Sequence, residues 1–411
     1  MDTKTEDVKF WIDKMMTEKG FSKYIIDISG SSSKGDGYLG EINFVKVVCD
    51  GKKGEKTVFD VVIKSAKTND DLRKNTPIVE TYEREISMYM KVAPAIRDFQ
   101  NEYAIEQKFS NFAECYTTCL SHKMEAVLLV NLNSLGFSLH DRKVPQNFEH
   151  ISFVFRTYAL WHGCTLALKI RKPELFKNLT ADMTDLYGKF IEMADMLPLW
   201  QEYFNIVIRI LRKRGEDKVA DKIIDKAGDI KTIMTKMTLE FDQEVEQEAV
   251  LLHGDGWNNN MMFKYKGNDF SKPVDVVLID LQLARMASPV TDLSYYLYSV
   301  ADKSSLKKFD VLLSTYHATL SNYLSQYNID CENILTLKRL RESWKKYGRF
   351  GLLASPFILR AELSEDDEVI EFTEKAAEKS LNDIHLGDIK RQDDFDQRMV
   401  DVFKHFCEEF L

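Results

Sequence analysis

The sequence lacks several features that would place it in particular classes of protein. No apolar run approaches the roughly 18 to 20 residues that a membrane-spanning helix needs. The first residues, Met1 to Asp7, are mostly polar or charged and contain no apolar secretory core, which predicts a cytoplasmic protein. The net charge of −9 does not favour a nucleic-acid-binding surface, although it leaves room for a local basic cleft.

Cysteines are few and scattered along the chain. There are six, and the one close pair, Cys115 and Cys119, has no further Cys or His beside it to complete a metal site. A lone Cys-x-x-x-Cys spacing is weak support for metal binding. Reduced and mostly buried thiols, as in cytosolic proteins, are the better interpretation.

The length and the pattern of apolar residues predict an α+β protein. A chain of 411 residues with 44% hydrophobic residues can form two lobes around a sizeable core. The residue pattern predicts β-strands at about 41–49, 57–64 and 124–130, and mainly helices after residue 148. We find no internal repeat and no long low-complexity linker.

The segment 253–292 is the one around which the rest of the chain can be interpreted. Two short apolar runs, 249–252 and 274–279, each lead into polar residues, and a polar turn at 264–272 suits a hairpin. Because side chains alternate along a strand, Asp280 would share a face with apolar positions of the second run. We therefore expect Asp280 at the end of a strand, where apolar packing stops and a ligand site can begin.

Asp255, Asn260 and Asp280 have the chemistry that phosphoryl transfer requires. One carboxylate accepts the proton of the acceptor hydroxyl, while an amide oxygen and a second carboxylate hold Mg²⁺ against the nucleotide phosphates. The spacing of five residues from Asp255 to Asn260 is the spacing of the kinase signature. The alternative is a loop in which the Asp and Asn side chains only satisfy nearby backbone groups.

A glycine-rich segment lies between β-rich segments, just before the first predicted strand. It runs from Gly30 to Gly40 and contains Gly35 and Gly37, which permit close approach of the backbone to a ligand. Amide N–H groups there could cover the phosphates of a nucleotide. A flexible hairpin loop explains the same residues equally well.

The second predicted strand ends at Lys64, the position at which kinases place the lysine that contacts phosphates. An ordinary lysine at a strand end is the alternative. In the next predicted helix, Glu85 lies on the same face as Tyr82 and Ile86, which should point to the interior. A buried carboxylate needs a partner, so we expect Glu85 to pair with Lys64 and hold its ammonium against the phosphates.

Three further segments have two interpretations each. Val130 to Leu132 would form the hinge that contacts adenine in a two-lobed kinase, or simply the exit from a strand. His162 is predicted as a packed core histidine rather than a catalyst, because its neighbours are apolar. The aromatic run 197–204 is predicted as core rather than as the wall of a substrate pocket.

Several motifs together resemble the ecdysteroid kinase-like family of insects, which is related to choline kinases and aminoglycoside phosphotransferases. The most specific segment is His253 to Phe263, of the form His-Gly-Asp-x-Trp-x-Asn-Asn. The resemblance extends over most of the chain through the glycine loop, Lys64, Glu85, Tyr89, Pro94, Asp280-Leu281-Gln282, Ser288 to Leu293, and Arg398-Met399-Val400.

The resemblance implies a role for each site residue. Asp255 would be the catalytic base, with Asn260 and Asp280 as Mg²⁺ ligands and Lys64 and Glu85 as the phosphate-clamping pair. Two structural roles would fall to His253 and to Asp292, which would brace the catalytic loop through its backbone N–H groups. Trp257 would pack under the loop or flank the acceptor, and packing is favoured.

The chain departs from the family in two places. The hinge of the family usually carries an acidic pair before Leu132, where this chain has Val130 and Asn131, so the contacts to adenine and ribose are the least certain. The residue after Asp280 is often Phe in the family and is Leu281 here, which is an apolar exchange. The catalytic residues are intact, which argues against an inert relative.

The resemblance implies a protein-kinase-like two-lobed fold, with an antiparallel-sheet N-lobe at 1–130 and a mainly helical C-lobe at 131–411. The expected cofactors are ATP and Mg²⁺. Only a few residues separate Asp280 from the helix with Asp292, which leaves no platform for a protein substrate and favours a small-molecule hydroxyl. The family name implies a large apolar alcohol such as an ecdysteroid; the alternatives are a choline or xenobiotic kinase and an inert ligand-binding protein.

Overall fold

The computed structural model describes residues 3–31, 40–51, 55–227, 230, 246–267, 269–370 and 372–411. Residues 32–39 of the predicted glycine-rich segment, with Gly35 and Gly37, lie outside the described residues. The described chain consists of an antiparallel-sheet region followed by a mainly helical region. This is the α+β, protein-kinase-like two-lobed class expected from the sequence.

The N-terminal sheet has five strands, each antiparallel to its neighbours. They are β1 (Tyr24–Ser31), β2 (Gly40–Asp50), β3 (Lys56–Ala66), β4 (Cys115–Cys119) and β5 (Ala126–Val130). Their spatial order is β1-β2-β3-β5-β4, so β3 lies at the centre.

Alternation along β3 determines which side chains face a ligand. Val61 and Ile63 are fully buried against the helix α1 (Thr3–Glu18), whose apolar face covers one side of the sheet. Val62 and Lys64 point to the opposite side, where they line a cleft. The β-branched pattern of the strand therefore places the Lys64 ammonium on the ligand side of the sheet.

Three helices connect the third and fourth strands. They are α2 (Asp70–Asn75), α3 (Ile78–Ser87) and α4 (Ala93–Glu102), with a π-helical turn at Met88–Val92 between the last two. Helix α3 begins after Pro77, and its buried face includes Tyr82, Glu85 and Ile86 as the sequence periodicity predicts.

The helical region contains most of the core. Its helices in the described residues are α5 (Phe148–Arg171), α6 (Pro173–Thr180), α7 (Leu186–Met193), α8 (Leu197–Lys213), α9 (Asp217–Ala227), α10 (Pro289–Val300), α11 (Lys303–Leu306), α12 (Phe309–Ser325), α13 (Leu337–Leu363), α14 (Phe372–Ala377) and α15 (Gln392–Phe410). Every residue of α10 is buried. It packs against α13 and α5, so it is a rigid support for the loop that it contacts.

Two small sheets carry the catalytic segment. The strands are β6 (Phe137–Leu139), β7 (Val250–Leu251), β8 (Met261–Tyr265), β9 (Pro273–Leu278) and β10 (Met286–Ala287). β8 and β9 form the predicted hairpin, with β6 beside β8, and β7 pairs with β10.

The expected position of Asp280 within a strand is wrong in detail. β9 ends at Leu278, two residues earlier, and Val274 is half exposed while Val277 is buried, so the strict alternation fails. Asp280 instead has a φ of 66°, in the left-handed region. A backbone turn, rather than continuation of the strand, therefore directs the Asp280 side chain.

Three further expectations can be compared with the structure. Among the described residues, no helix is long and apolar enough to cross a membrane. All six cysteines are free thiols; five are buried and Cys115 is partly buried. The aromatic run 197–204 contributes Trp200 and Tyr203 to a buried cluster, in agreement with the prediction of core.

Candidate active site

Lys64 is the centre of a charged cluster at the junction of the two regions. Its Nζ lies 2.7 Å from Glu85 Oε2 and 2.6 Å from Asp280 Oδ1. It also donates to Gln282 Oε1 at 3.4 Å. Burial opposes the charge on Lys64, but Asp280 and Glu85 outweigh burial and raise its pKa, so the side chain remains an ammonium. The ion pair expected between Lys64 and Glu85 is thus present.

The loop from His253 to Asn260 takes its shape from two glycines. Gly254 has a φ of 87°, and a Cβ there would lie 2.1 Å from the carbonyl oxygen of Leu283. A Cβ on Gly256 would lie 1.8 Å from the hydroxyl of Tyr158. Only glycine fits at both positions, because the loop passes directly against these two neighbours.

Asp292 binds the backbone at the start of this loop. Its two carboxylate oxygens accept hydrogen bonds from the N–H groups of His253, at 2.8 Å, and Gly254, at 2.9 Å. Although burial would raise its pKa, hydrogen bonds from His162 and the loop hold the pKa of Asp292 below its ordinary value. Asp292 therefore stays ionised and does not line the cleft, as a bracing residue should.

The two histidines beside Asp292 make hydrogen bonds to other groups of the protein. His253 Nε2 donates to the carbonyl of Ile279 at 2.9 Å, and its Nδ1 accepts from the Asp255 N–H at 3.2 Å. Burial lowers the pKa of His253, which suits the neutral ring that this pattern requires. His162 is fully buried between Asp292 and the Tyr316 hydroxyl, so its predicted core position agrees with the structure.

The carboxylate of Asp255 is held by a donor on each side. Oδ1 accepts from the Tyr295 hydroxyl at 3.0 Å, and Oδ2 accepts from Asn260 Nδ2 at 3.1 Å. Burial, assisted by the negative charge of Asp280, raises the pKa of Asp255 to about 7. A carboxylate with such a pKa is suited to accept a proton from a substrate near neutral pH.

Asn260 and Asp280 supply oxygen donors on the same cleft. The Asn260 amide nitrogen donates to the Asp255 carbonyl and carboxylate, which leaves the amide oxygen as an acceptor. Lys64 contacts Oδ1 of Asp280 and does not contact the second carboxylate oxygen, Oδ2. In the described residues, no group of three or more His, Cys, Asp or Glu side chains is arranged to bind a metal. A carboxylate and an amide oxygen nevertheless suit Mg²⁺, which commonly completes its shell with water and phosphate oxygens.

These polar groups line a cleft of about 320 Å³. At the end next to the sheet the walls are apolar and include Ile42, Phe44 and Val62 from β2 and β3 and Met262 from β8. The backbone segment from Val130 to Leu132 lines the same end. Apolar walls beside a strand exit are the kind of lining that an adenine ring would require.

The other end of the cleft is aromatic. Its walls come from α7, α10, α13, α14 and the catalytic loop, and the aromatic side chains are Tyr187, Phe190, Trp257, Tyr295, Phe357 and Phe372. The rings pack against each other, as Phe190 stacks on Phe372 with centroids 5.7 Å apart. Trp257 lines the cleft and also packs against the core cluster below it, so it combines the two expected positions.

Sequence reasoning missed Tyr295 and the aromatic wall. Tyr295 lies three residues after Asp292 on α10, so both side chains reach the catalytic loop from one face of the helix. That spacing could have identified Tyr295. No local pattern could have identified Phe190 and Phe357, since their helices are far apart in the sequence.

The chain is similar to known proteins both in sequence and in structure. The sequence profile of the ecdysteroid kinase-like family matches residues 34–329, more than two thirds of the chain. A mutant of aminoglycoside 2'-phosphotransferase IIIa, solved as a GDP complex, aligns in structure over 91% of this chain and 97% of its own, with 14% identity and a TM-score of 0.41. No curated protein matches the sequence.

Proposed function

Because the chain belongs to the ecdysteroid kinase-like family, a family of kinase-like phosphotransferases, we propose that it transfers the γ-phosphate of ATP to a hydroxyl group of a small, mainly apolar alcohol. The observation that carries this proposal is the meeting of Lys64, Asp255 and Asp280 in one cleft with an aromatic far end. The family name makes an ecdysteroid the first compound to test.

The residues divide the reaction between them. The acceptor hydroxyl binds at Asp255, its oxygen attacks the γ-phosphorus, and the bond from that phosphorus to the bridging oxygen breaks to release ADP. The hydroxyl proton passes to Asp255, whose raised pKa favours that transfer. Lys64 contributes a fixed positive charge to the phosphates, and Glu85 keeps it in place.

The donor set fits a magnesium ion between the nucleotide and the catalytic loop. The ion would be held by Asn260 Oδ1 and by Asp280 Oδ2, the carboxylate oxygen that Lys64 does not contact. When bound, Mg²⁺ would offset the negative charge of the β- and γ-phosphates. The adenine would lie against the Val130 to Leu132 segment, at the end of the cleft where the walls are apolar.

The aromatic end favours an apolar acceptor over a cationic one. A choline-like substrate needs aromatic rings together with acidic groups around its charge. In the described lining of this end, the only carboxylate is Asp255, which the reaction itself uses. Neutral alcohols with a hydrophobic frame would therefore gain most from burial there.

The test is acceptor-dependent ADP formation from ATP and Mg²⁺. The acceptor panel is an ecdysteroid, a simple phenol, choline and an aminoglycoside. We expect turnover with the neutral apolar alcohols and a loss of roughly a hundred- to ten-thousand-fold in Asp255→Ala, because the general base is removed.

The matched control is Asp269→Ala, which removes an exposed carboxylate in the turn of the same hairpin. It should leave turnover unchanged. A preference for choline would favour the aminoalcohol kinase instead. Absence of turnover with every acceptor in the wild type would contradict the proposal and favour an inert binding protein.

A further inference from the structure

Arg84 is a buried cation that the reaction described above does not use. It is 5% exposed and lies on α3 immediately before Glu85. Its guanidinium donates to backbone carbonyls of two separate segments: Ala284, and the pair Asp182, at 2.7 Å, and Thr184, at 3.0 Å. A buried guanidinium bound to carbonyls is costly to place unless every bond is made.

The first segment that Arg84 holds follows the proposed metal ligand Asp280. Arg84 donates to the carbonyl of Ala284, four residues after Asp280, and Lys64, the partner of Glu85, contacts Asp280 itself. Helix α3 is therefore connected to this segment directly through Arg84 and indirectly through Glu85 and Lys64. This contact keeps α3, which carries the partner of Lys64, in a fixed position relative to Asp280.

The second segment leads into the wall of the acceptor end. Asp182 and Thr184 precede Asp185, whose side chain accepts from the N–H groups of Tyr187, at 2.9 Å, and Gly188, at 3.1 Å, at the start of α7. Tyr187 and Phe190 on α7 line the cleft. Arg84 thus connects the start of α7 with the helix that carries Glu85.

We propose that Arg84 is a positioning residue that holds the Lys64–Glu85 pair, the segment after Asp280 and helix α7 in one arrangement. Its role does not require contact with either substrate. Burial lowers the pKa of Arg84 to about 10, while Asp185 and Asp182 oppose the change, so the side chain is cationic at neutral pH. The proposal concerns the site of the proposed kinase activity, and its rate prediction rests on that function.

The variants are Arg84→Gln and Arg84→Lys, with Arg73→Lys as the matched control. Arg73 lies on the neighbouring helix α2, and its side chain is 6% exposed, but it pairs with Glu125 at 2.5 Å outside the cleft. We expect Arg84→Gln to lower kcat by roughly ten- to a hundred-fold while KM for ATP stays within about three-fold, since charged hydrogen bonds that orient the site are lost. Arg84→Lys, which keeps the charge, should recover part of kcat.

Hydrogen–deuterium exchange provides a readout that does not depend on activity. In Arg84→Gln, exchange should increase together in peptides covering 281–287 and 186–193, and Arg73→Lys should leave both unchanged. If Arg84→Gln does not fold, Arg84→Lys gives the same comparison. A uniform increase along the chain, or no change in these two peptides, would overturn the proposal.

The two proposals can fail separately. If the wild type forms no ADP with any acceptor, the proposed function fails, and the exchange experiment still decides the role of Arg84. If the wild type is active and kcat of Arg84→Gln equals that of Arg73→Lys, the positioning role is wrong and the kinase proposal stands.

Discussion

The two ends of the cleft differ in the interactions that form them. At the polar end, Lys64, Glu85, Asp280 and the Asp255 carboxylate are fixed by charged hydrogen bonds of 2.6 to 3.1 Å. At the other end, stacked and edge-on contacts between aromatic rings predominate, and the Tyr295 hydroxyl, which donates to Asp255, lies where the two ends meet. Directional bonds fix the position of reacting atoms, whereas apolar walls fix only shape and volume. We therefore expect the polar end to determine the reaction and the aromatic end to determine which molecule binds.

The largest expected effect tests the polar end. Lys64→Met removes the positive charge that we propose contacts the phosphates of ATP, and it leaves Glu85 buried without its partner. We expect kcat/KM for ATP to fall by about a hundred- to a thousand-fold, on the scale of lost charge stabilisation in a water-excluded site. The measurement is steady-state ADP formation with circular dichroism to show that the fold survives.

Lys46→Met is the matched control, because it makes the same replacement of lysine by methionine at a position outside the lining of the cleft. Lys46 is exposed on the neighbouring strand β2, opposite Asp60. Its replacement should leave the kinetics unchanged. Unchanged kinetics in Lys64→Met would remove Lys64 from the site.

The contrast between the ends also explains what the sequence could predict. Lys64, Glu85, Asp255 and Asn260 were identifiable because strand alternation, helix periodicity and a fixed spacing are local properties of a sequence. The left-handed φ of Asp280 could not be predicted from the sequence, because it depends on how the strand end packs against His253 and Lys64. For the same reason the strand was predicted two residues too long.

The aromatic end was not predictable from local patterns. Three separate helices supply the rings Phe190, Phe357 and Phe372. The first helix lies well over a hundred residues before the other two, which are joined by a non-helical segment. Aromatic stripes on helices usually pack in a core, as Trp200 and Tyr203 do here. Only the tertiary arrangement distinguishes the rings that line the cleft from those that fill the core.

Tyr295 belongs to both ends of the cleft, because its ring lines the aromatic end and its hydroxyl donates to Asp255. Removing the hydroxyl therefore tests the hydrogen bond that connects the two ends. Tyr295→Phe keeps the ring, which stacks on Phe350, and removes the donor to Asp255. A hydrogen bond to a charged group contributes about 1.5 to 3 kcal/mol, so we expect kcat to fall by roughly ten- to a hundred-fold. KM for ATP should change little, because the hydroxyl lies away from the adenine end.

Tyr298→Phe is the matched control for Tyr295→Phe. Tyr298 lies on the same helix, and its hydroxyl accepts from Trp344 Nε1 at 2.8 Å within the core. Its loss should lower the free energy of unfolding and leave kcat nearly unchanged. Equal effects of the two variants on kcat would show that the Tyr295 hydroxyl only stabilises the fold.

The pH dependence of turnover examines the polar end alone. Asp255 must be deprotonated to accept the acceptor proton, and burial with the charge of Asp280 raises its pKa to about 7. Protonation increases as the pH falls through that value, so kcat at saturating ATP should decrease on the acid side, by about tenfold per pH unit well below 7. Binding of ATP, followed separately by calorimetry, controls for titration of the nucleotide. A flat profile down to pH 5 would contradict the role of Asp255 as base.

The smallest expected effect lies at the aromatic end. Phe190→Leu keeps an apolar side chain on α7 but removes the ring that stacks on Phe372. An aromatic pair contributes about 0.5 to 1.5 kcal/mol beyond its buried area, so KM for the acceptor should rise by roughly two- to ten-fold. Because the polar end is unaffected, kcat and KM for ATP should keep their wild-type values.

Phe153→Leu separates this local effect from a general loss of packing. Phe153 is a partly buried ring on α5 that packs against the main core, outside the lining of the cleft. Its replacement should alter stability without changing KM for the acceptor. If Phe190→Leu lowers kcat as strongly as it raises that KM, the aromatic wall also orients the reacting hydroxyl. The two ends of the cleft would then act as one unit, and the division between chemistry and shape would not hold.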